Sequence, residues 1–257
     1  MLQAIAQGKS RIYRRYIGHK DNTDEKRVAA EDEITALILG PLKFLTPKER
    51  ARLWHRLLNR FGAGDLPKGE PDDAVMKLWK KFKGLDRSVE PDLMVYLIYP
   101  DNQKIAVIVE LKWRSPLSGA NQLHVQWEQC LDSQSKETGF HLFIGPDTSA
   151  ASSARTSEEH GNPWQGRLLA ADWASIKEML LNTKIFNTTE GKDWAKNVCV
   201  TLEKLGIRPF RGFGDLPATS IVSPPDNMVF WEEFSGFRNL QYSQIPPWHS
   251  DAFFSSR

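Results

Sequence analysis

Two consecutive β-rich segments constrain the fold of this chain more than any other feature of its sequence. The first, LMVYLIY, spans residues 93–99, and the second, IAVIVELKW, spans residues 105–113. Runs of Val, Ile and aromatic residues favour extended strands, and the intervening PDNQ at residues 100–103 is typical of a turn. The sequence therefore predicts a hairpin of two long, largely buried strands.

The segments around this hairpin predict helices and further strands. Thr46 and Pro47 mark a helix start, because Thr caps free backbone N–H groups and Pro suits the first helical turn. Strands are expected at residues 140–145 and 166–173. Helices are expected at residues 25–39, 48–61, 72–82, 119–131, 174–181 and 192–205, with a loop at 147–162. This order predicts an α/β fold around a mixed sheet, because a hairpin joins the first two strands and helices join later ones.

Composition narrows the class of protein. At 257 residues, 40% of them hydrophobic and 26% charged, the chain can bury a well-filled core. Its two cysteines, Cys130 and Cys199, have no CxxC spacing, which argues against a disulfide framework or a zinc knuckle and favours a reducing cytoplasm. Because no apolar run is long enough for a signal peptide or an anchor, we expect a cytoplasmic protein without membrane contact.

Charge is distributed unevenly along the chain. Residues 1–88 contain 19 Lys and Arg against 12 Asp and Glu, an excess of seven, although the whole chain carries only +2. Basic residues cluster at residues 11–15, 52–60 and 77–83. Each cluster is consistent with binding to a phosphate backbone and equally with a solvated helix face.

Three charged residues of the hairpin form a candidate site. Asp92 opens the first strand, and Glu110 and Lys112 lie on one face of the second, because strand side chains alternate with period two. A turn centred near Asn102 would place Asp92 opposite Lys112 and one residue pair from Glu110. The rival Asp101 also follows a proline, but nine residues of strand put it about 30 Å from Glu110, so we assign it to the turn.

These residue types suit metal chemistry. Charges within an apolar strand are costly unless they are paired, hydrogen-bonded or bound to a metal, and neighbouring carboxylates repel each other. Hard oxygen ligands without a nearby Cys favour Mg²⁺ or Mn²⁺. Such an ion would activate water while Lys112 orients the nucleophile or neutralises a phosphate. The alternative is a buried Glu110–Lys112 salt bridge that Asp92 happens to face.

Two helices add further candidates. Glu31 extends the inward apolar stripe of the helix EDEITALIL, although an acid in a first helical turn also complements the helix dipole. Gln122 and Gln126 lie in GANQLHVQWEQCL, directly after the lysine-bearing strand. Either glutamine could hold a phosphate or a metal-bound water, or belong to a polar helix rim.

These residues together resemble the PD-(D/E)xK phosphodiesterase superfamily over about residues 28–146. The resemblance rests on Glu31 in AEDEIT, Asp92 in EPD, Glu110 and Lys112 in ELK, and Gln122 in NQL. It implies a restriction-endonuclease-like α-β-β-β-α-β core, with Asp92, Glu110 and Glu31 as ligands of Mg²⁺ or Mn²⁺. It further implies an endonuclease acting on DNA, because exonuclease-like members carry an aromatic residue four places after the glutamine, where this chain has Gln126. The EDEIT helix followed by the hairpin, and the later segment LGIRPFRGF, also resemble nucleases of bacterial defence gene sets, which implies a role in restriction or anti-phage defence.

The resemblance also implies an organisation of the chain. We expect a basic arm at residues 1–27, a nuclease core at 28–182 and a C-terminal extension at 183–257. The Pro-punctuated, aromatic tail of that extension is a candidate surface for a partner subunit or a second copy of the chain.

The sequence allows alternatives to hydrolysis of nucleic acid. A nucleic-acid-binding or assembly subunit could share the fold without turnover. A thiol enzyme would need Cys130 or Cys199 with His124 or His141, but cysteines on apolar helix stripes are usually inert packing. The sequence contains no GxxxxGK[ST] phosphate loop, so ATP hydrolysis is not expected.

Overall fold

The computed structural model describes residues 1–17, 30–84, 88–113, 116–119, 121–182 and 184–208. By their contacts, residues divide into two units, 1–210 and 211–257, and the second unit lies outside the described residues. The aromatic tail, the remainder of the arm and residues 25–29 of the first predicted helix also lie outside them.

A five-stranded mixed sheet forms the centre of the first unit. The strands of the chain are β1 (Asp73–Leu78), β2 (Phe82–Lys83), β3 (Ser88–Val89), β4 (Leu93–Ile98), β5 (Lys104–Leu111), β6 (Phe140–Gly145) and β7 (Leu168–Asp172). The sheet order is β1-β4-β5-β6-β7, and β2 with β3 forms a separate two-stranded ribbon. β4 runs antiparallel to both β1 and β5, whereas β5, β6 and β7 run parallel to one another. The predicted α/β class and the hairpin are confirmed.

Helices flank this sheet. They are α1 (Leu2–Ala6), α2 (Ala30–Leu39), α3 (Pro47–Arg60), α4 (Gln122–Cys130), α5 (Ser133–Thr138), α6 (Ser149–Arg155), α7 (Trp173–Leu181) and α8 (Thr189–Lys204), with 3-10 turns at Ile12–Ile17 and Gly40–Phe44. Thr46 caps α3 as expected, since its side chain accepts a hydrogen bond from the Glu49 backbone N–H at 3.4 Å. No helix among the described residues has both the length and the apolar character needed to cross a bilayer.

Three predictions of local structure are wrong. The segment predicted as a helix over residues 72–82 contains β1, where Ala74 and Met76 are buried between less buried neighbours with the period of a strand. The predicted loop at 147–162 contains α6, which buries Ala151 and Ala154. Residues 1–17 are not a polar arm, because Leu2 and Ile5 of α1 are buried.

The sheet separates two apolar layers. One face, through residues such as Val95 and Val107, joins a core to which α2, α3, α7 and α8 contribute. The opposite face, through Met94 and Ile108, packs with Trp127 of α4. Because strand side chains alternate, successive residues of β4 and β5 supply both layers, which makes the hairpin the structural centre of the molecule.

The hairpin turn is centred one residue earlier than expected, so each residue of β4 pairs with a residue of β5 two positions earlier than predicted. Leu93 pairs with Val109 and Ile98 with Lys104, so the turn is centred on Asp101 rather than Asn102. The turn is closed by a hydrogen bond from Asn102 N–H to Tyr99 O, and Asn102 adopts a left-handed φ of 61°. Asp101 has the predicted role, because its Oδ1 accepts a hydrogen bond from Gln103 N–H at 3.1 Å.

Candidate active site

Asp92 and Glu110 lie across from each other at the end of the β4–β5 ladder. The last pair of that ladder is Leu93 with Val109, so the next residues outward are Asp92 and Glu110. The expected partner of Asp92 was Lys112, and the shifted turn corrects this. Asp92 Oδ2 accepts a hydrogen bond from Leu111 N–H at 2.7 Å, which fixes the carboxylate against β5.

Lys112 bridges two carboxylates directly after β5. Its Nζ lies 3.0 Å from Glu110 Oε1 and 3.2 Å from Glu31 Oε2. Its backbone is held on both sides, because its N–H donates to Ile144 O at 2.7 Å and its carbonyl accepts from Trp173 Nε1 at 2.9 Å. The ammonium group is therefore positioned by both its charge partners and its backbone.

Glu31, in the first turn of α2, reaches the same centre from another layer. Besides its contact with Lys112, its Oε1 accepts a hydrogen bond from Trp113 N–H at 3.0 Å. Trp113 is in turn fixed through its indole N–H, which donates to Tyr16 O at 3.2 Å. The N-terminal segment thus contributes to positioning the site.

Both glutamines of α4 contact Glu110. Gln122 Nε2 donates to Glu110 Oε1 at 2.7 Å, and Gln126 Nε2 donates to Glu110 Oε2 at 2.7 Å. Gln122 Oε1 accepts from Ser118 N–H at 2.7 Å, which orients its amide. Gln126 is buried, and its Oε1 has no hydrogen-bond partner among the described residues. The structure therefore brings Asp92, Glu110, Lys112, Glu31 and Gln122 together, and it places the alternative glutamine, Gln126, against Glu110 as well.

The electrostatics of the site follow from burial. Desolvation, reinforced by the neighbouring Glu110 carboxylate, raises the pKa of Asp92 to about 8. Desolvation also raises the pKa of Glu110, against the opposing effects of Lys112 and Gln126. For Lys112, burial opposes the charged form, but Glu110 and Glu31 outweigh it and its pKa lies above the ordinary value. Two carboxylates thus share a site in which ionising both is costly.

The carboxylates fit a divalent cation in their chemistry, although not as the predicted three-ligand set. Among the described residues, no three His, Cys, Asp or Glu side chains are close enough together to hold a metal ion. Glu31 is instead bound to Lys112 and to Trp113 N–H. Burial raises the pKa of both Asp92 and Glu110, and the Glu110 carboxylate raises that of Asp92 further, so repulsion between the two adds to the cost of ionising them. Hard carboxylate oxygens under such repulsion are the ligands that Mg²⁺ and Mn²⁺ favour.

The cysteines do not form a thiol site. Burial raises the pKa of Cys130 to about 12 and that of Cys199 to about 11, so neither is a thiolate near neutral pH. His141 is fully buried, and burial lowers its pKa to about 3. Both cysteines behave as packing residues, in agreement with the sequence analysis.

Sequence reasoning missed the groups that hold the site residues in place. Most are backbone groups, namely the N–H groups of Leu111 and Trp113 and the carbonyl of Ile144. Backbone donors and acceptors have no residue-specific signature. The Trp173 side chain, which donates to the Lys112 carbonyl, is different, because a tryptophan at the junction of a predicted strand and helix is visible in the sequence. Comparison with protein-family models, with curated proteins and with solved structures gives no significant match for this chain.

Proposed function

We propose that this chain is a divalent-metal-dependent nuclease of the PD-(D/E)xK kind that cleaves DNA as an endonuclease. The observation that carries the proposal is the pairing of Asp92 with Glu110 across two strands, with Lys112 bound to Glu110 two residues further on. Restriction or anti-phage defence is the role that the family resemblance implies for such an activity.

The order of elements supports the same assignment. The helix α3 is followed by the three antiparallel strands β1, β4 and β5, then by α4 and the parallel strand β6. This is the α-β-β-β-α-β order of the restriction-endonuclease-like core, with the β2–β3 ribbon inserted between the first two strands. β1, which the sequence analysis took for a helix, supplies the third strand that this order requires.

Each side chain then has a defined task. A divalent cation, held by Asp92 and Glu110, would supply Lewis acidity and activate water when bound. Lys112 stays protonated between Glu110 and Glu31 and donates hydrogen bonds to a phosphate oxygen or to the attacking water. Gln122 and Gln126 keep the Glu110 carboxylate in one orientation.

Cleavage assays test the proposal. Plasmid DNA, single-stranded DNA and RNA are incubated with wild-type protein in Mg²⁺ or Mn²⁺, beside Asp92→Asn, Glu110→Gln and Lys112→Met. Asp101→Asn is the matched control, because Asp101 also follows a proline but lies in the turn. We expect each site variant to lose about 10²-fold or more of the cleavage rate, the cost of removing one electrostatic group, while the control keeps it. Cleavage that survives in all three site variants would contradict the assignment.

A non-catalytic nucleic-acid-binding or assembly subunit is the second candidate. It is favoured by one observation: both Glu110 oxygens already accept hydrogen bonds from protein donors, and Lys112 offsets part of the charge. The two candidates differ in metal affinity, which calorimetric titration with Mn²⁺ measures. A nuclease requires Mn²⁺ to bind the wild type more tightly than Glu110→Ala, whereas a non-catalytic subunit predicts equal, weak binding.

A further inference from the structure

Three lysines converge on Tyr96 in the middle of β4. The Nζ atoms of Lys104, Lys80 and Lys77 lie 4.4, 5.6 and 5.7 Å from the centre of its ring. Lys80 also donates a hydrogen bond to Tyr96 Oη at 3.1 Å and lies 4.3 Å from the ring centre of Phe82. The ring faces of the two aromatic residues thus gather ammonium groups from β1, β5 and the segment between β1 and β2.

This positive charge is not neutralised within the described parts of the chain. Lys77, Lys80 and Lys104 form no ion pair there, whereas the neighbouring Lys81 lies 3.7 Å from Glu90. Cation–π contacts offset part of the cost, but three like charges around one ring still repel each other. A ligand that carries negative charge would relieve that repulsion.

The lysine cluster lies on the same face of the sheet as the candidate active site. Lys77 pairs with Met94, Tyr96 with Ala106 and Ile98 with Lys104, so Lys77, Tyr96 and Lys104 point to one side. Asp92 and Glu110 continue the same alternation. Asp92, directly before β4, is four residue steps from Tyr96, or about 13 Å along an extended strand.

An exposed tryptophan lies beside the candidate active site. Trp79 follows β1, is 36% exposed and has a left-handed φ of 49°, an uncommon conformation for a bulky residue. Its N–H donates to Asp92 O at 3.1 Å, which holds it beside the site. An aromatic side chain next to a basic surface suits stacking against a nucleic-acid base.

Two of these lysines, Lys80 and Lys104, line an open groove of about 1230 Å³ together with Phe82 and Tyr96. Because the lining also contains Asp65, Asp132 and Glu137, the positive charge of the groove is local to Lys80 and Lys104.

We propose that Lys77, Lys80 and Lys104 bind the phosphate backbone of the nucleic-acid substrate about 13 Å from the bond to be cut. This inference rests on the proposed nuclease function, since that function places the bond to be cut at Asp92 and Glu110. The shared chemistry of single-stranded and duplex DNA is the phosphodiester backbone, and binding measurements separate the two.

Fluorescence anisotropy of labelled single-stranded and duplex DNA, measured in EDTA over a series of salt concentrations, tests the binding surface. The variant combines Lys77→Gln, Lys80→Gln and Lys104→Gln, and the matched control combines Lys43→Gln, Lys192→Gln and Lys196→Gln, three exposed lysines elsewhere. We expect the variant to weaken binding by about 10-fold or more and to lower the salt slope by about 2 for a single strand or about 3 for a duplex. The control keeps the wild-type slope.

The outcomes are separable from those of the cleavage assay, because no metal is present and no site residue is changed. A variant that binds with the salt slope of the control overturns the inference even if the wild type cleaves DNA. Loss of binding in the variant upholds it even if the wild type cleaves nothing. Competition by polyglutamate as strong as that by DNA would also overturn it and would indicate an acidic protein partner.

Discussion

Glu110 is the residue on which the candidate site depends most directly. Its carboxylate is 2% exposed and is satisfied by Gln122, Gln126 and Lys112. A buried charge is tolerated only when its hydrogen-bonding capacity is met. Removing one hydrogen-bond partner leaves the desolvation cost of the remaining buried group uncompensated. The two glutamines therefore belong to the energetics of the fold as well as to the site.

Substituting the two glutamines separately tests this dependence. Gln126→Met removes the described donor to Glu110 Oε2, so we expect a loss of about 1–3 kcal/mol in the free energy of unfolding. Gln122→Met should cost less, because Glu110 Oε1 keeps Lys112 at 3.0 Å and Gln122 is less buried. Urea denaturation in EDTA measures both. Equal losses would show that burial does not distinguish the two oxygens.

The raised pKa of Asp92 predicts a pH-dependent stability. Burial and Glu110 raise its pKa from 3.8 to about 8, so between these values the folded state holds a proton that the unfolded state has lost. Stability contributed by the protonated group is therefore full below about pH 4 and falls by about 1.4 kcal/mol per unit as pH rises toward 8. Asp92→Asn keeps an acceptor for Leu111 N–H and removes the titration.

The measurement is the difference in unfolding free energy between wild type and Asp92→Asn from pH 5 to 9 in EDTA. We expect the variant to gain stability relative to wild type up to about pH 8 and the difference to level off above it. Addition of Mn²⁺ should restore the wild type at high pH, because the cation replaces the proton. Parallel curves in EDTA would mean that Asp92 titrates normally.

At the scale of elements, the turn between β4 and β5 determines which side chains meet. Because the turn is centred on Asp101 rather than Asn102, each β4 residue pairs two positions earlier on β5. This pairing places Asp92 opposite Glu110. The sequence predicted the hairpin and its buried faces correctly, because the β-rich runs are long. It could not distinguish two adjacent turn centres within PDNQ, because Asp and Asn both favour turns.

Short elements were the least predictable. β1 has the sequence DAVMKL, which by itself is too short to distinguish a strand from a helix. Its alternating burial is established only by its pairing with β4. α6 contains mostly Ser and Ala, whose small side chains form no clear apolar stripe. Of the site, the charged residues and Gln122 could be predicted from motif spacing, whereas the contacts that orient them arise from tertiary packing.

Gly139 connects two elements in a space that admits no side chain. A Cβ there would lie 2.5 Å from Ser135 O and 2.9 Å from Ala106 O, both backbone atoms of α5 and β5. We expect Gly139→Ala to cost about 1–3 kcal/mol of stability, because β6 must move away from β5. Gly64→Ala is the matched control, since nothing lies within 4 Å of its Cβ. Thermal denaturation compares them, and a neutral Gly139→Ala would show that this junction is loosely packed.

At the scale of the molecule, helices distant in sequence complete one core. α8 packs against both α1 and α7, and Trp194 of α8 donates its indole N–H to Ile38 O of α2 at 3.0 Å. Glu49 of α3 accepts the backbone N–H of Asn187. Residues before the predicted nuclease core and after it are thus part of the same unit, which the local sequence patterns of these segments did not predict.

A chain ending at residue 210 should therefore fold and keep the candidate site. The first unit spans residues 1–210, and the described contacts of Asp92, Glu110 and Lys112 all join residues within it. We expect a single cooperative unfolding transition for this truncated chain and a cleavage rate within about twofold of the full chain, because these contacts lie within the first unit.

The same truncation tests whether residues 211–257 bind a second copy or a partner subunit. Light scattering coupled to size-exclusion chromatography should then show a smaller assembly for the truncated chain than for the full chain at equal concentration. An unchanged assembly state, with activity retained, would remove the C-terminal segment from consideration as an interface. Loss of cooperative unfolding would instead show that the first unit needs the second, because a core that is complete by itself melts as one transition.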